Sequence, residues 1–106
     1  MILEVRTYTV QPGKAAQWLD YYEKHGLPVQ TKYLGGLVGF FTSEIGTLNQ
    51  IVHMWKYDSL AEREARRGAM AKDPAWHDYL HGQPQPSPLI AQACQILTPT
   101  AFSPMK

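Results

Sequence analysis

The order of strand-like and helix-like segments constrains the fold of this chain more than any other feature. β-Branched and aromatic residues concentrate in four segments typical of β-strands, which are Ile2–Val10, Leu37–Ser43, Asn49–Tyr57 and Leu89–Leu97. One helical region separates the first strand from the second, and another separates the third from the fourth. The order β-α-β-β-α-β is that of a ferredoxin-like α+β fold, in which helices cover one face of a four-stranded antiparallel sheet.

The helical regions have recognisable ends. Apolar residues recur with a helical period over Lys14–His25, after which Gly26 and Pro28 interrupt the pattern. A further helical turn is expected through Tyr33 and Leu34, before Gly35-Gly36 ends it. The stretch SLAE (Ser59–Glu62) has the form of a capping box, so a helix is predicted to begin at about Leu60. Asp73-Pro74 predicts a further short helix, because aspartate is a good N-cap and proline suits the first helical position.

Size and charge limit the classes of function. The chain has 106 residues, so we expect a single domain over residues 1–106. Ten lysines and arginines nearly balance nine aspartates and glutamates, which is not the basic excess of a nucleic-acid-binding protein. The opening MILEVRTYTV lacks the features of a signal peptide, and no apolar run approaches the ~20 residues that span a bilayer. We therefore expect a cytoplasmic protein with no nucleic-acid partner and no membrane insertion.

The third strand, NQIVHMWKY, raises the question of what its two faces contact. Alternation predicts that one face of the sheet packs under the helices through Leu3, Val5, Val38, Phe40, Val52 and Met54. The opposite, uncovered face would then hold Glu4, Arg6, Tyr8, His53, Trp55 and Tyr57. A large exposed aromatic patch indicates a partner or a ligand. A second copy packed sheet to sheet would cover this face and enclose a lumen, so we expect a homodimer.

Several stretches of the sequence resemble the NIPSNAP family over nearly the whole chain. They are EVRTYT (Glu4–Thr9), PGK (Pro12–Lys14), EIGTLNQIVHMW (Glu44–Trp55) and YDSLAEREARR (Tyr57–Arg67). The resemblance implies a dimeric α/β-barrel fold, similar in architecture to small antibiotic-biosynthesis and haem-degrading monooxygenases. It implies no reaction, because the family has no agreed biochemical activity. The residues at motif positions are Arg6, Tyr8, Gly46, Thr47, Asn49, His53, Trp55, Tyr57, Arg63 and Arg66.

The first functional hypothesis is a protein that binds a small molecule in the lumen of the dimer. Its catalytic residues would be His53, Arg6 and Tyr8. In an enzymatic, cofactor-independent and monooxygenase-like version, His53 acts as a general base and Arg6 stabilises an enolate-like anion. The residues expected to contact the ligand are Trp55, Tyr57, Asn49 and Arg63.

Other interpretations compete with this one. The chain could be a structural or adaptor protein whose aromatic face only builds the dimer, or a protein that binds or degrades haem. His77 and His81 have the spacing of metal ligands on one helix face, but no further ligand completes a site, so no metal and no cofactor are predicted. Arg67 is expected to be a solvated, ion-paired helix residue, and Cys94 a small core residue.

Overall fold

The computed structural model describes residues 1–106 and has one antiparallel sheet of four strands. The strands are β1 (Ile2–Val10), β2 (Leu37–Thr42), β3 (Gln50–Tyr57) and β4 (Leu89–Leu97). Their order in the sheet is β2-β3-β1-β4, so β1 and β3 are central and β2 and β4 form the edges. The predicted ferredoxin-like α+β fold is confirmed, and the strand bounds agree with the prediction to within one residue.

The helical regions lie between β1 and β2 and between β3 and β4. They comprise α1 (Ala15–Tyr21), a π-helical turn (Tyr22–Gly26), α2 (Leu27–Tyr33), α3 (Leu60–Ala71) and α4 (Pro74–His81). The helical turn expected to continue through Tyr33 is confirmed as α2. The interruption predicted at Gly26 and Pro28 is wrong, because the π-helical turn joins α1 to α2 without leaving the helical path. None of these helices has both the length and the apolar character that a membrane span requires.

The predicted starts of the two later helices are confirmed. The Ser59 hydroxyl accepts a hydrogen bond from the backbone N–H of Glu62 at 3.1 Å, as an N-cap should. The Asp73 carboxylate accepts one from the backbone N–H of Ala75 at 2.8 Å. Each cap satisfies an N–H group that the helix itself leaves without a partner.

The helices cover the face of the sheet opposite to the one predicted. Glu4, His53, Trp55 and Tyr57 are buried beneath them. The prediction that the other face packs under the helices is wrong for five residues, which lie half-buried or exposed: Leu3, Val5, Val38, Val52 and Met54. Phe40 does lie beneath the helices, because an irregularity in β2 brings it opposite His53.

The reason for this arrangement is found on the helices rather than on the strands. Both faces of the sheet carry apolar side chains, so alternation alone cannot select the covered one. Trp18 and Tyr79 supply rings that pack with Tyr8, and Arg63 supplies the cation that pairs with Glu4. The helix surfaces therefore complement the face that bears rings and a carboxylate.

This packing also changes where a ligand could bind. The predicted ring of Arg6, Tyr8, His53, Trp55 and Tyr57 was placed in a lumen between two sheets, and that location is wrong. The same residues face the space between the sheet and the helices of one chain. The adaptor interpretation assigned the same aromatic face to a dimer interface, and that assignment is also wrong because the face is already covered within the chain.

A candidate ligand cavity between sheet and helices

A cavity of about 200 Å³ lies between the sheet and the helices. Its apolar wall consists largely of aromatic rings, those of Tyr8, Trp18, Tyr22, Trp76 and Tyr79. Its polar wall carries arginines, amides and one imidazole, those of Arg6, Arg67, Gln30, Gln83, Gln92 and His53. No aspartate or glutamate lines it. Four other depressions have volumes of about 250 to 460 Å³, and His53 lines none of these four.

The hydrogen bond between Trp55 and His53 determines which imidazole nitrogen carries a proton. These two residues lie two positions apart on β3 and therefore share a face. The indole N–H of Trp55 donates to Nδ1 of His53 at 2.8 Å, and both side chains are buried. Because an indole N–H can only donate, Nδ1 is the unprotonated nitrogen and Nε2 carries the hydrogen. Nε2 is itself buried and has no hydrogen-bond partner.

Burial keeps the His53 ring neutral. Desolvation lowers its pKa from 6.5 to about 4, and the positive charge of Arg6 acts in the same direction, whereas Glu4 opposes it. The ring stacks on Phe40 with centroids 4.4 Å apart and meets the edge of Tyr8 at 4.9 Å. The predicted role of general base does not suit this geometry, because the only lone pair of the ring already accepts from Trp55. His53 instead offers a fixed N–H donor.

Arg6 and Arg63 converge on the fully buried carboxylate of Glu4. Arg6 donates through Nη1 at 2.9 Å, and Arg63 donates through Nε and Nη2 at 3.2 and 3.0 Å. The Cys94 thiol lies 3.1 Å from the same carboxylate. Burial alone would raise the pKa of Glu4, but the hydrogen bonds from Arg63, Cys94 and Arg6 outweigh it and hold the pKa at about 2.

This cluster gives Arg63 and Cys94 roles that differ from the predicted ones. Arg63 does not line the cavity, because its guanidinium serves the buried ion pair with Glu4. Cys94 is an exposed residue of the edge strand β4 rather than a core residue, although its thiol reaches inward. Arg6 does line the cavity, and its Nε donates to the Tyr8 hydroxyl at 3.1 Å.

Three other predicted ligand contacts lie outside the cavity. Asn49 adopts a positive φ of 60° in the turn before β3, and its carbonyl accepts from the Val10 N–H at 2.9 Å. Trp55 acts through its hydrogen bond to His53. The hydroxyl of Tyr57 is buried without a hydrogen-bond partner, near the guanidinium of Arg67.

The residues that sequence reasoning missed come from the helices. Trp18 and Tyr22 are four residues apart, and this spacing already indicated a common helix face. Tyr22 lies in the π-helical turn, a feature frequent at functional sites, and its hydroxyl donates to the buried amide of Gln30. Arg67 follows Arg63 by one helical turn, so the same spacing could have placed it over the sheet.

The histidine pair on α4 does not form a site. His77 and His81 are both exposed. The structure contains no group of three or more histidine, cysteine, aspartate or glutamate side chains that could hold a metal ion.

Comparisons with known proteins agree with this fold. The NIPSNAP family model matches residues 3–104. Protein NipSnap homolog 3B from Mus musculus is 37% identical over 76 residues, which are 71% of this chain and 30% of that protein. The chain thus spans about a third of the length of the curated relatives it matches.

Two solved structures are similar to this chain, one in sequence and fold and the other in fold alone. The crystal structure of Protein Atu4242 from Agrobacterium tumefaciens superposes with a TM-score of 0.91 at 37% identity, over 100% of both chains. A putative antibiotic biosynthesis monooxygenase from Nitrosomonas europaea superposes with a TM-score of 0.61 at 12% identity, over 93% of this chain and 98% of that one. The second likeness shows a shared ferredoxin-like fold and nothing more.

Proposed function

This chain belongs to the NIPSNAP family, and on that premise we propose that it binds a small, flat organic molecule in the cavity between sheet and helices. The observation that carries the proposal is the His53 Nε2–H group, which is buried, has a set tautomer and has no partner. Leaving a buried donor unpaired costs about 1–3 kcal/mol, so the group favours a ligand that brings an acceptor.

The walls of the cavity support a flat ligand. Trp18 and Tyr22 stack with an interplanar angle of 5° and centroids 5.2 Å apart, and Trp76 packs against Tyr79 at 5.1 Å. Aromatic walls with a few placed polar groups are typical of small-molecule sites. A volume of about 200 Å³ is below the ~300–1,000 Å³ typical of sites for drug-sized ligands. This volume favours a ligand much smaller than haem.

A reaction in this cavity would depend on stabilising negative charge. His53 and Arg6 present donors, and a donor placed where an oxyanion develops can stabilise a transition state. The His53 lone pair is occupied by Trp55, so proton abstraction by His53 would require that hydrogen bond to break. The geometry therefore favours a binding role for His53 over the base role of the enzymatic hypothesis.

The outer face of the sheet supports a homodimer, as the second part of the proposal. Leu3, Val5, Val52 and Met54 are only half-buried there, and Phe41 is 54% exposed. These residues alternate with the buried set and form one apolar surface on the face of the sheet that no helix covers. A second copy packed on this surface would bury it. Size-exclusion chromatography with light scattering tests this part, because Val5→Glu with Val52→Glu should yield a monomer.

The binding proposal can be tested with benzamide, a flat probe with a neutral carbonyl acceptor. For nine non-hydrogen atoms at about −0.3 to −0.5 kcal/mol per atom we expect a Kd of roughly 1–10 mM. In ¹⁵N–¹H spectra, benzamide should shift the indole N–H signals of Trp18 and Trp76 saturably. The variant His53→Phe should lose most of this response, whereas the exposed His25→Gln should keep it. Unsaturable or absent shifts in the natural protein, for benzamide and for benzoate alike, would refute the binding proposal.

A further inference from the structure

We propose that Arg67 and the Nε2–H of His53 form a carboxylate-binding subsite, so that the ligand is a small aromatic monocarboxylic acid. This inference rests on the proposed binding function and names the class of ligand. Both residues line the cavity, one from α3 and the other from β3. The Nε2 atom of His53 is buried and has no partner within the chain.

Arg67 differs from the other arginines in having no carboxylate partner. Arg6 and Arg63 pair with Glu4, and Arg66 pairs with Glu62 at 2.7 Å. No carboxylate oxygen lies within 4.0 Å of the Arg67 guanidinium. The Arg67 side chain instead lies beside the Tyr57 hydroxyl, where a polar contact with it lowers the pKa of Tyr57 against the effect of burial. Arg67 is nevertheless half-buried, so it is not the solvated, ion-paired residue expected from the sequence.

The helix places Arg67 over the unsatisfied polar atoms of the sheet. Arg63 lies one turn earlier on α3 and reaches down to Glu4, and Met70 lies three residues later and is 2% exposed. Arg67 is on the same face between them. Its charge acts on both His53 and Tyr57, and the hydroxyl of Tyr57 is the second buried polar atom without a partner.

The charges favour a monocarboxylate over other acceptors. Arg6 and Arg63 both pair with Glu4, and Arg63 also pairs with Glu64 at 2.6 Å, so two carboxylates balance these two cations. Arg67 therefore contributes one uncompensated positive charge to a cavity that no acidic residue lines. A guanidinium fork matches the two oxygens of a carboxylate. One uncompensated cation suits one negative charge, and the flat aromatic walls suit an aryl group.

The experiment compares benzoate with benzamide, which differ in charge but share their shape. Dissociation constants are measured by NMR titration of the indole signals in the full chain. The natural protein should bind benzoate at least about tenfold more tightly than benzamide, because charge-assisted hydrogen bonds are stronger than neutral ones. Arg67→Gln should abolish this preference, because benzoate binding should weaken about tenfold more than benzamide binding does. Lys72→Gln removes an equal charge from the end of the same helix and should preserve the preference.

The outcomes separate the two proposals. Equal affinity for both probes in the natural protein, or an unchanged preference in Arg67→Gln, would overturn the carboxylate subsite and leave the binding function standing. Binding of neither probe would overturn both. Benzamide binding to Arg67→Gln also shows that the variant is folded, and Arg67→Lys should restore part of the preference for benzoate because it restores the charge without the fork.

Discussion

The buried imidazole of His53 should make the stability of this protein depend on pH in a defined window. In the unfolded chain a histidine binds a proton below a pKa of 6.5, whereas burial lowers the pKa of folded His53 to about 4. Between these two values the unfolded state binds more protons, so stability falls as the pH falls from 6.5 to 4. Above 6.5 both states are neutral and the contribution is fully present.

The magnitude follows from the two pKa values. The fall from 6.5 to about 4 corresponds to roughly 3 kcal/mol at about 1.36 kcal/mol for each pH unit. His53 is 1% exposed, so solvent screening does not reduce this figure much. A loss of this size is a substantial part of the stability of a domain, which is typically ~5–15 kcal/mol.

Urea denaturation of the natural protein and of His53→Gln between pH 7.5 and 4.5 measures this contribution. Glutamine can still accept from Trp55 but does not titrate. As the pH falls below 6.5, the unfolding free energy of the natural protein should fall steadily relative to that of His53→Gln. Both proteins are measured at one protein concentration, because self-association would make their stability depend on concentration. The exposed His25→Gln serves as the control and should follow the natural protein. Parallel curves for the natural protein and His53→Gln would refute the assignment of a buried, neutral His53.

Four further substitutions test the buried network, the imidazole and the helices that cover the sheet. Glu4→Gln should destabilise the protein by about 3 kcal/mol in urea at pH 7, because it leaves the charge of Arg6, whose side chain is 17% exposed, without a carboxylate partner. A loss below about 1 kcal/mol would contradict the buried ion pair. Trp55→Phe should reduce the Nε2–H tautomer of His53 in long-range ¹⁵N spectra and weaken benzamide binding, although residue 55 does not line the cavity; an unchanged tautomer would contradict the orienting role. Gly26→Ala should lower the free energy of unfolding by about 1–3 kcal/mol in thermal unfolding, because the new Cβ would lie 2.7 Å from the Tyr79 ring of α4. Gly68→Ala has open space around the new Cβ and should stabilise α3 by about 0.5–1 kcal/mol.

The structure also explains why the cavity keeps its shape. Glu4 holds Arg6 and Arg63 in one network, and Arg6 in turn donates to the Tyr8 hydroxyl at the cavity wall. Glu4 therefore acts as a positioning residue. A fully hydrogen-bonded buried network is rigid, and a rigid wall loses less entropy when a ligand binds.

The local features of this protein were predictable because they depend on neighbours in the chain. The order of strands and helices and the serine and aspartate caps follow from local propensity and hydrogen bonding. The same holds for the pairing of His53 with Trp55 on one face of β3, since side chains two residues apart on a strand point the same way. These predictions were sufficient for the fold class.

What the sequence could not decide was which side of the sheet the helices cover. Strand alternation defines two faces, and each face here has enough apolar surface to pack. Which face the helices cover therefore depends on helix residues that are distant in sequence, namely Trp18, Arg63 and Tyr79. The same limit applies to the arginines, which look alike in sequence. Arg63 becomes the partner of Glu4 while Arg67, one turn later, has no carboxylate, because partners are set by contacts across the interior. The sequence determined the elements and their two faces, and only tertiary packing decided which face encloses the cavity and which cation remains without a counter-charge.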